Sequence, residues 1–222
     1  METGLTTQSA SRFRRLTESK GVSGTLIATI QRDEVLKHIG YKNPPGRNLL
    51  HLMDQMLELA GACIDPVMRF KEVAGSGDLP LFLRGSSLSY TALATIGPRL
   101  EGCVKEYFDS GRAVEGYLLD TIGSVAVMHV GNALWAEIVE DAALRGVAQR
   151  LRRAPGCRGV PMEVQKWIVE TFHDPALGIR VTSSCMLFPR KSFAFLGRFG
   201  GKLETAFPCK GCPQQLNCDL RS

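Results

Sequence analysis

VTSSCMLFPRKSFAFLGRF, residues 181–199, decides the fold class. Its halves, VTSSCMLFP and KSFAFLGRF, are rich in β-branched and aromatic residues and alternate in part between apolar and polar positions. That pattern predicts two strands, with Pro189-Arg190 as the turn between them. Upstream of Gly178 the periodicity is helical. Residues 31–39 read as a helix stopped by Gly40, and NPPG at 43–46 breaks the chain. A second helix opens at Asn48 as N-cap, placing Leu49, Met53, Met56, Leu57 and Ala60 on one face. CIDPVMRFKEVAGSGD contains Pro66 and ends in a Gly/Ser loop, and LPLFLR at 79–84 is a short strand. Helices are expected over 97–110 and 113–137. DAALRGVAQRLRR is an amphipathic turn sequence leading to the break at Ala154-Pro155-Gly156, and Pro161 starts the helix PMEVQKWIVETFH. Helices and strands are segregated along the chain, which favours α+β over a doubly wound parallel sheet.

The chain has 222 residues, 44% of them hydrophobic and 22% charged, an ordinary globular balance that excludes wholesale disorder, collagen and coiled coil. The net charge of +5 is unevenly placed. Residues 190–222 hold six basic side chains against Glu204 and Asp219, carrying +4 of it. This suits an anionic ligand or partner but is too sparse for a nucleic-acid arm. No membrane segment is expected, because the most apolar stretch, 124–139, is broken by His129, Asn132 and Glu137. METGLTTQSASRFRRLTESK lacks the apolar core of a secretory signal, so residues 1–26 read as a polar tail and the expected location is cytoplasmic.

Seven cysteines without a secretion signal argue against a disulfide framework. Three cluster in PCKGCPQQLNC, residues 208–218, as Cys209, Cys212 and Cys218. A two-residue gap lets two thiolates curl round one ion, with Gly211 relieving the turn. Three thiolates are one short of a closed site. Cys185 is the preferred fourth ligand, with Cys157 and His173 as alternatives, and zinc and an iron–sulfur cluster both remain open. Three unligated thiols are the bland alternative. In RRAPGC, residues 152–157, a Pro-Gly turn and two Arg residues suit a carboxylate or phosphate, although Arg residues capping a helix C-terminus would look the same. No HExxH, GxSxG, Walker loop or dinucleotide fingerprint is present, so generic hydrolase, kinase and dehydrogenase readings drop out.

RRAPGC, PMEVQKWIVETF and GIRVTSSCMLFPRKSFAFLGRFGG, taken together and in this order, resemble the activation domain of cobalamin-dependent methionine synthase. More closely, they resemble the stand-alone activation-domain-like proteins of anaerobic bacteria. RDEVLKHIGYK (32–42), TALATIGPRLE (91–101), LLDTIGSVAVMHVGNALWAE (118–137) and the Cys-rich end CKGCPQQLNCDLR extend the resemblance over 27–221. It implies an α+β domain at 27–200 with a curved antiparallel sheet flanked by helices, followed by a Cys-rich tail at 201–222. It further implies a corrinoid-linked activation protein that assists reductive methylation of a cobalamin-dependent methyltransferase with S-adenosylmethionine and an external electron donor. Its partner would be that methyltransferase or another corrinoid protein, with the cobalamin carried by the partner or bound transiently. The family motif Arg-Pro-Ala-Pro-Gly-Tyr corresponds to Arg152, Arg153, Ala154, Pro155, Gly156 and Cys157. Arg152 would hold the ligand carboxylate, the Ala154 backbone would approach the ligand, and Gly156 and Cys157 would complete the site. Cys157 in place of Tyr removes an aromatic surface and a hydroxyl donor, and Arg153 adds charge where the motif is neutral. Asp120 and Glu137 are candidate acidic ligand residues, while Lys191 and Arg198 are candidates for positive potential toward a partner. The alternative function is a non-catalytic metal- or iron–sulfur-binding accessory protein that keeps the fold without the ligand site. A structural zinc knuckle in the tail is a third reading.

Overall fold

The computed structural model describes residues 13–15, 29–73, 79–157 and 159–201. Helix α1 (Arg32–Ile39) starts on a reciprocal cap between Gln31 and Glu34 and ends at Gly40, whose φ of 76° is the left-handed turn that glycine adopts freely. Helix α2 (Arg47–Cys63) begins two positions earlier than the sequence predicts. Its N-cap is Gly46, so Asn48 lies inside the first turn. Met53, Met56, Ala60 and Cys63 form its buried face.

The main sheet is antiparallel, in the order β1-β2-β3-β7-β4. Its strands are β1 (Phe13–Arg15), β2 (Val67–Glu72), β3 (Leu88–Thr95), β7 (Ser192–Phe199) and β4 (Arg150–Arg153). The first of these lies within the segment read as a polar tail and pairs with β2. β7 is the strand that KSFAFLGRF predicts. VTSSCMLFP yields only the two-residue strands β5 (Arg180–Val181) and β6 (Leu187–Phe188), which pair with each other across residues 182–186. LPLFLR is not a strand. It forms a 3-10 turn at Leu81–Leu83 that buries Phe82 and Leu83. β3 escapes sequence detection for a physical reason: seven of its eight residues are buried, so it lacks the alternation of a half-exposed strand.

Helix α3 (Arg99–Asp109) packs against α4 (Ala113–Leu144), which runs seven residues beyond the predicted end at Glu137. The sequence DAALRGVAQRLRR therefore divides between the last turns of α4, a left-handed Gly146 and strand β4. Helix α5 (Val164–Phe172) starts three residues after Pro161, which lies in the preceding turn. α4 is long and apolar enough to cross a bilayer, but Leu118, Leu119, Ile122, Ala126, Val130, Leu134 and Ile138 are buried against the sheet and its neighbouring helices. A helix apolar on most sides is what a core position requires. α1 to α4 cover one sheet face around Phe70, Tyr90, Phe195 and Phe199. α5 and the 3-10 turn cover the other, around Leu93, Ala194 and Leu196. The result is the expected α+β architecture of an antiparallel sheet flanked by helices.

One partly buried network ties α4 to the sheet. Tyr90 Oη donates to Asp141 Oδ2 at 2.7 Å. Arg145 pairs with both Asp141 (3.1 Å) and Glu72 (2.7 Å). Burial, and then the bond to Asp141, pushes the Tyr90 hydroxyl well above its ordinary value, and burial raises the Cys63 thiol from 9.0 to about 12. Both groups hold protons in the folded chain that the unfolded chain releases at lower pH. Their stabilisation is therefore complete below about pH 9 and falls as pH rises through 9 to 12. Urea midpoints measured at stepped alkaline pH should decline over this range. Tyr90→Phe should flatten the decline above about pH 10 while costing about 1 kcal/mol at neutral pH.

Candidate functional site at the open edge of the sheet

β4 pairs only with β7, leaving its outer backbone edge without a strand partner among the described residues. Successive side chains on a strand point to opposite faces. Leu151 joins the α5-side core, while Arg152 turns toward α4. Arg152 Nη2 donates to Asn132 Oδ1 at 3.1 Å and Nη1 donates to the Gly131 carbonyl at 3.4 Å. Its guanidinium carbon sits 5.4 Å from the Phe195 ring centroid, 5.7 Å from Trp135 and 6.0 Å from Phe193. Three rings and two neutral acceptors thus hold the cation. Burial pushes the guanidinium below its ordinary value, and among the described residues no carboxylate pairs with it.

Two glycines make the platform. A Cβ at Gly131 would stand 2.7 Å from Phe193, and one at Gly197, directly opposite Arg152, would stand 2.8 Å from Trp135. Only a residue without a side chain lets these rings lie against the helix and strand backbones. Gly197→Val is expected to destabilise the chain by about 1–3 kcal/mol through overpacking, as a lowered urea midpoint.

Beyond β4 the chain turns sharply. Cys157 N donates to the Ala154 carbonyl (3.1 Å), Gly156 N to the Val160 carbonyl (2.9 Å), and Val160 N to the Cys157 carbonyl (2.9 Å). RRAPGC is thus a strand end and turn, and the alternative of Arg residues capping a helix drops out. Gly156 has φ 86°, the left-handed region that favours glycine, and a Cβ there would displace the flexible Met162 side chain, whose Sδ lies 2.7 Å away. Cys157 is exposed and its thiol is free.

Several expected site residues lie elsewhere. Arg153 packs on the opposite sheet face, 5.1 Å from the Phe82 centroid, with Arg198 5.9 Å from the same ring. Neither adds charge beside Arg152. Lys191 Nζ meets Asp120 (2.9 Å) and Ser124 Oγ (2.8 Å), and its backbone N–H donates to Glu101. Lys191 and Asp120 therefore neutralise each other. Asp120 lies twelve residues, about 18 Å of helix, from Asn132. Glu137 is five residues past Asn132, rotated by about 140° round the helix. Neither carboxylate joins Arg152. Cys185 occupies the 182–186 turn instead of a strand, with φ 62°; its backbone donates to Thr182 and accepts from Gln165. His173 caps α5 in a left-handed conformation. Cys209, Cys212 and Cys218 lie outside the described residues. Among the described residues no group of three His, Cys, Asp or Glu side chains is placed to hold a metal.

Asn132, Trp135, Gly131 and Gly197 are the site residues that motif reading passes over. For Gly131 and Asn132 the signal is an Asn beside a Gly in the most apolar stretch of α4.

No family model matches the sequence, and no curated protein matches it. Among solved structures, the chain is similar to the MetH reactivation domain bound to AdoHcy. The TM-score is 0.62 with 10% identity, over 89% of this chain and 81% of that one. At that identity the likeness establishes the fold. The resemblance expected from the sequence is thus present in the architecture.

Proposed function

We propose that this chain is a corrinoid-linked activation protein that binds S-adenosylmethionine at the β4 edge and assists the reductive methylation of a cobalamin-dependent methyltransferase. The observation that carries this reading is Arg152, a half-buried guanidinium held by rings and neutral acceptors, without a carboxylate partner among the described residues. The fold in which it sits is shared with a reactivation domain whose structure holds AdoHcy. AdoHcy and S-adenosylmethionine both carry an α-carboxylate, which a planar guanidinium fork binds through two parallel charge-assisted hydrogen bonds. The donor set fits that group. Asn132 orients the fork, and the Gly156 turn keeps side-chain bulk away from the strand end. Cys157 supplies a thiol where the family motif has a ring, so binding relies on the carboxylate and backbone more than on stacking.

In this role the cobalamin belongs to the partner, an external donor supplies an electron, and S-adenosylmethionine supplies the methyl group. A cytoplasmic location accompanies that reading. Cys209, Cys212, Cys218 and Cys185 are proposed to hold zinc or an iron–sulfur cluster, and Cys185 is buried. Metal analysis of anaerobically purified protein, with Cys209→Ser as the comparison, tests that part separately.

The test of the main reading is equilibrium dialysis of the intact protein against AdoHcy and S-adenosylmethionine. It is paired with visible spectra of an oxidised cobalamin methyltransferase given reductant, S-adenosylmethionine and this protein. Saturable binding and faster return of the methylated corrin spectrum are expected. A protein that binds neither compound and leaves the spectrum unchanged sinks the reading, and metal content in that same protein would favour the accessory role.

A further inference from the structure

Cys63 is the last residue of α2, and Cys103 lies in the second turn of α3. Their Sγ atoms are 2.9 Å apart. Non-bonded heavy atoms settle at about 3.5–4.0 Å, so the two sulfurs are closer than simple packing leaves them. Two thiol chemistries set the scale for that separation. A metal ion bound at about 2.3 Å by two thiolates in a tetrahedral site would spread the sulfurs to roughly 3.8 Å. A disulfide needs about 2.05 Å. At 2.9 Å the pair lies between the two and within a small movement of a covalent bond.

The surrounding backbone holds the two cysteines together independently of the sulfurs. The turn after α2 and the turn before α3 meet, with Asp65 N donating to the Ile96 carbonyl at 2.9 Å. Gly97, at φ 79°, lies against the Asp65 carbonyl, where a Cβ would approach to 3.3 Å. Little has to reorganise for a bond to form.

We propose that Cys63 and Cys103 are an oxidative modification site, in which a hydroperoxide converts the thiol pair into a reversible disulfide joining α2 to α3. Cys103 is the more exposed of the two and reacts first, whereas Cys63 is only 8% exposed. The Cys103 sulfur attacks the peroxide, the O–O bond breaks, and Cys103 becomes a sulfenic acid as water or an alcohol leaves. Cys63 then displaces the sulfenic oxygen as water. Two thiols lose two electrons and two protons in all, and the peroxide takes up both. Burial pushes the Cys63 thiol up to about 12, so little of it is thiolate at neutral pH, and its place in the second step rests on the 2.9 Å contact with the Cys103 sulfur. Closing a 40-residue loop restricts the unfolded chain.

The experiment treats the intact, fully reduced protein with hydrogen peroxide, alkylates the remaining thiols and maps the cysteine peptides by mass. The expected product is a peptide pair linking Cys63 to Cys103, two hydrogens lighter than the separate peptides. The thermal midpoint should rise by roughly 5–10 °C and return on treatment with dithiothreitol. Cys103→Ser should abolish the linked peptide and the shift together. Cys63→Ala, which replaces a small buried side chain by a smaller apolar one, provides a second variant with the same expectation. Cys63 and Cys103 recovered fully alkylated, or Cys103 recovered as sulfinic acid beside an alkylated Cys63, overturns the proposal.

Discussion

Phe195→Ala is expected to lower the unfolding free energy by about 3–5 kcal/mol, a large share of the roughly 5–15 kcal/mol that holds a typical domain folded. Phe195 is fully buried on a central strand. Its ring meets Trp135 edge-on at 5.9 Å and leans on Phe193 at 5.7 Å. Trp135 continues to Phe199 at 5.3 Å, and Phe199 to Tyr90 at 5.4 Å. Truncation therefore opens a cavity where α4 crosses β7 and removes a ring beneath Arg152. The same variant should weaken AdoHcy binding as well as the fold. Phe188→Ala is the natural control. Phe188 is 37% exposed on the small hairpin and is stacked by Arg180 at 4.1 Å, so its loss should cost only about 1 kcal/mol. Urea unfolding of the two variants would show equal costs if the aromatic layer were loosely packed.

The contrast between these two phenylalanines marks how much of the fold the sequence reveals. KSFAFLGRF alternates because Phe193, Phe195 and Phe199 face α4 while Ala194 and Leu196 face α5, and the apolar bias of the first set makes the strand recognisable. β3 is flanked by strands on both edges and layers on both faces, so its buried run LSYTALAT carries no period. β4 fails the same reading for the opposite reason. RLRR is nearly all cationic, and its strand identity comes from pairing with β7 and from rings that accept an arginine. The site follows this division. Arg152, Ala154, Gly156 and Cys157 fall within six consecutive residues, so a motif exposes them. Asn132 and Trp135 reach Arg152 only after α4 is laid across the sheet, and the charge of Asp120 and Glu137 carries no information about that placement.

Arg152→Met is expected to weaken AdoHcy binding about 100-fold while leaving the urea midpoint nearly unchanged. The two halves of that result rest on different physics. A carboxylate bound by a guanidinium gains two charge-assisted hydrogen bonds, and methionine offers neither. Stability behaves otherwise, because a half-buried cation without an opposite charge among the described residues carries a desolvation cost that its two neutral acceptors and three rings offset only in part. A flexible apolar thioether fills the same space against Trp135 and Phe195 without that cost. Arg152→Lys should fall between, losing about tenfold in affinity, since lysine keeps the charge but not the fork that Asn132 orients. Calorimetric titration with AdoHcy and urea unfolding of the three proteins separate the roles. Wild-type affinity in Arg152→Met would show that the ligand carboxylate sits elsewhere on the edge. A collapse in stability at unchanged affinity would make Arg152 a fixture of the sheet edge, held there for the contact between α4 and β4.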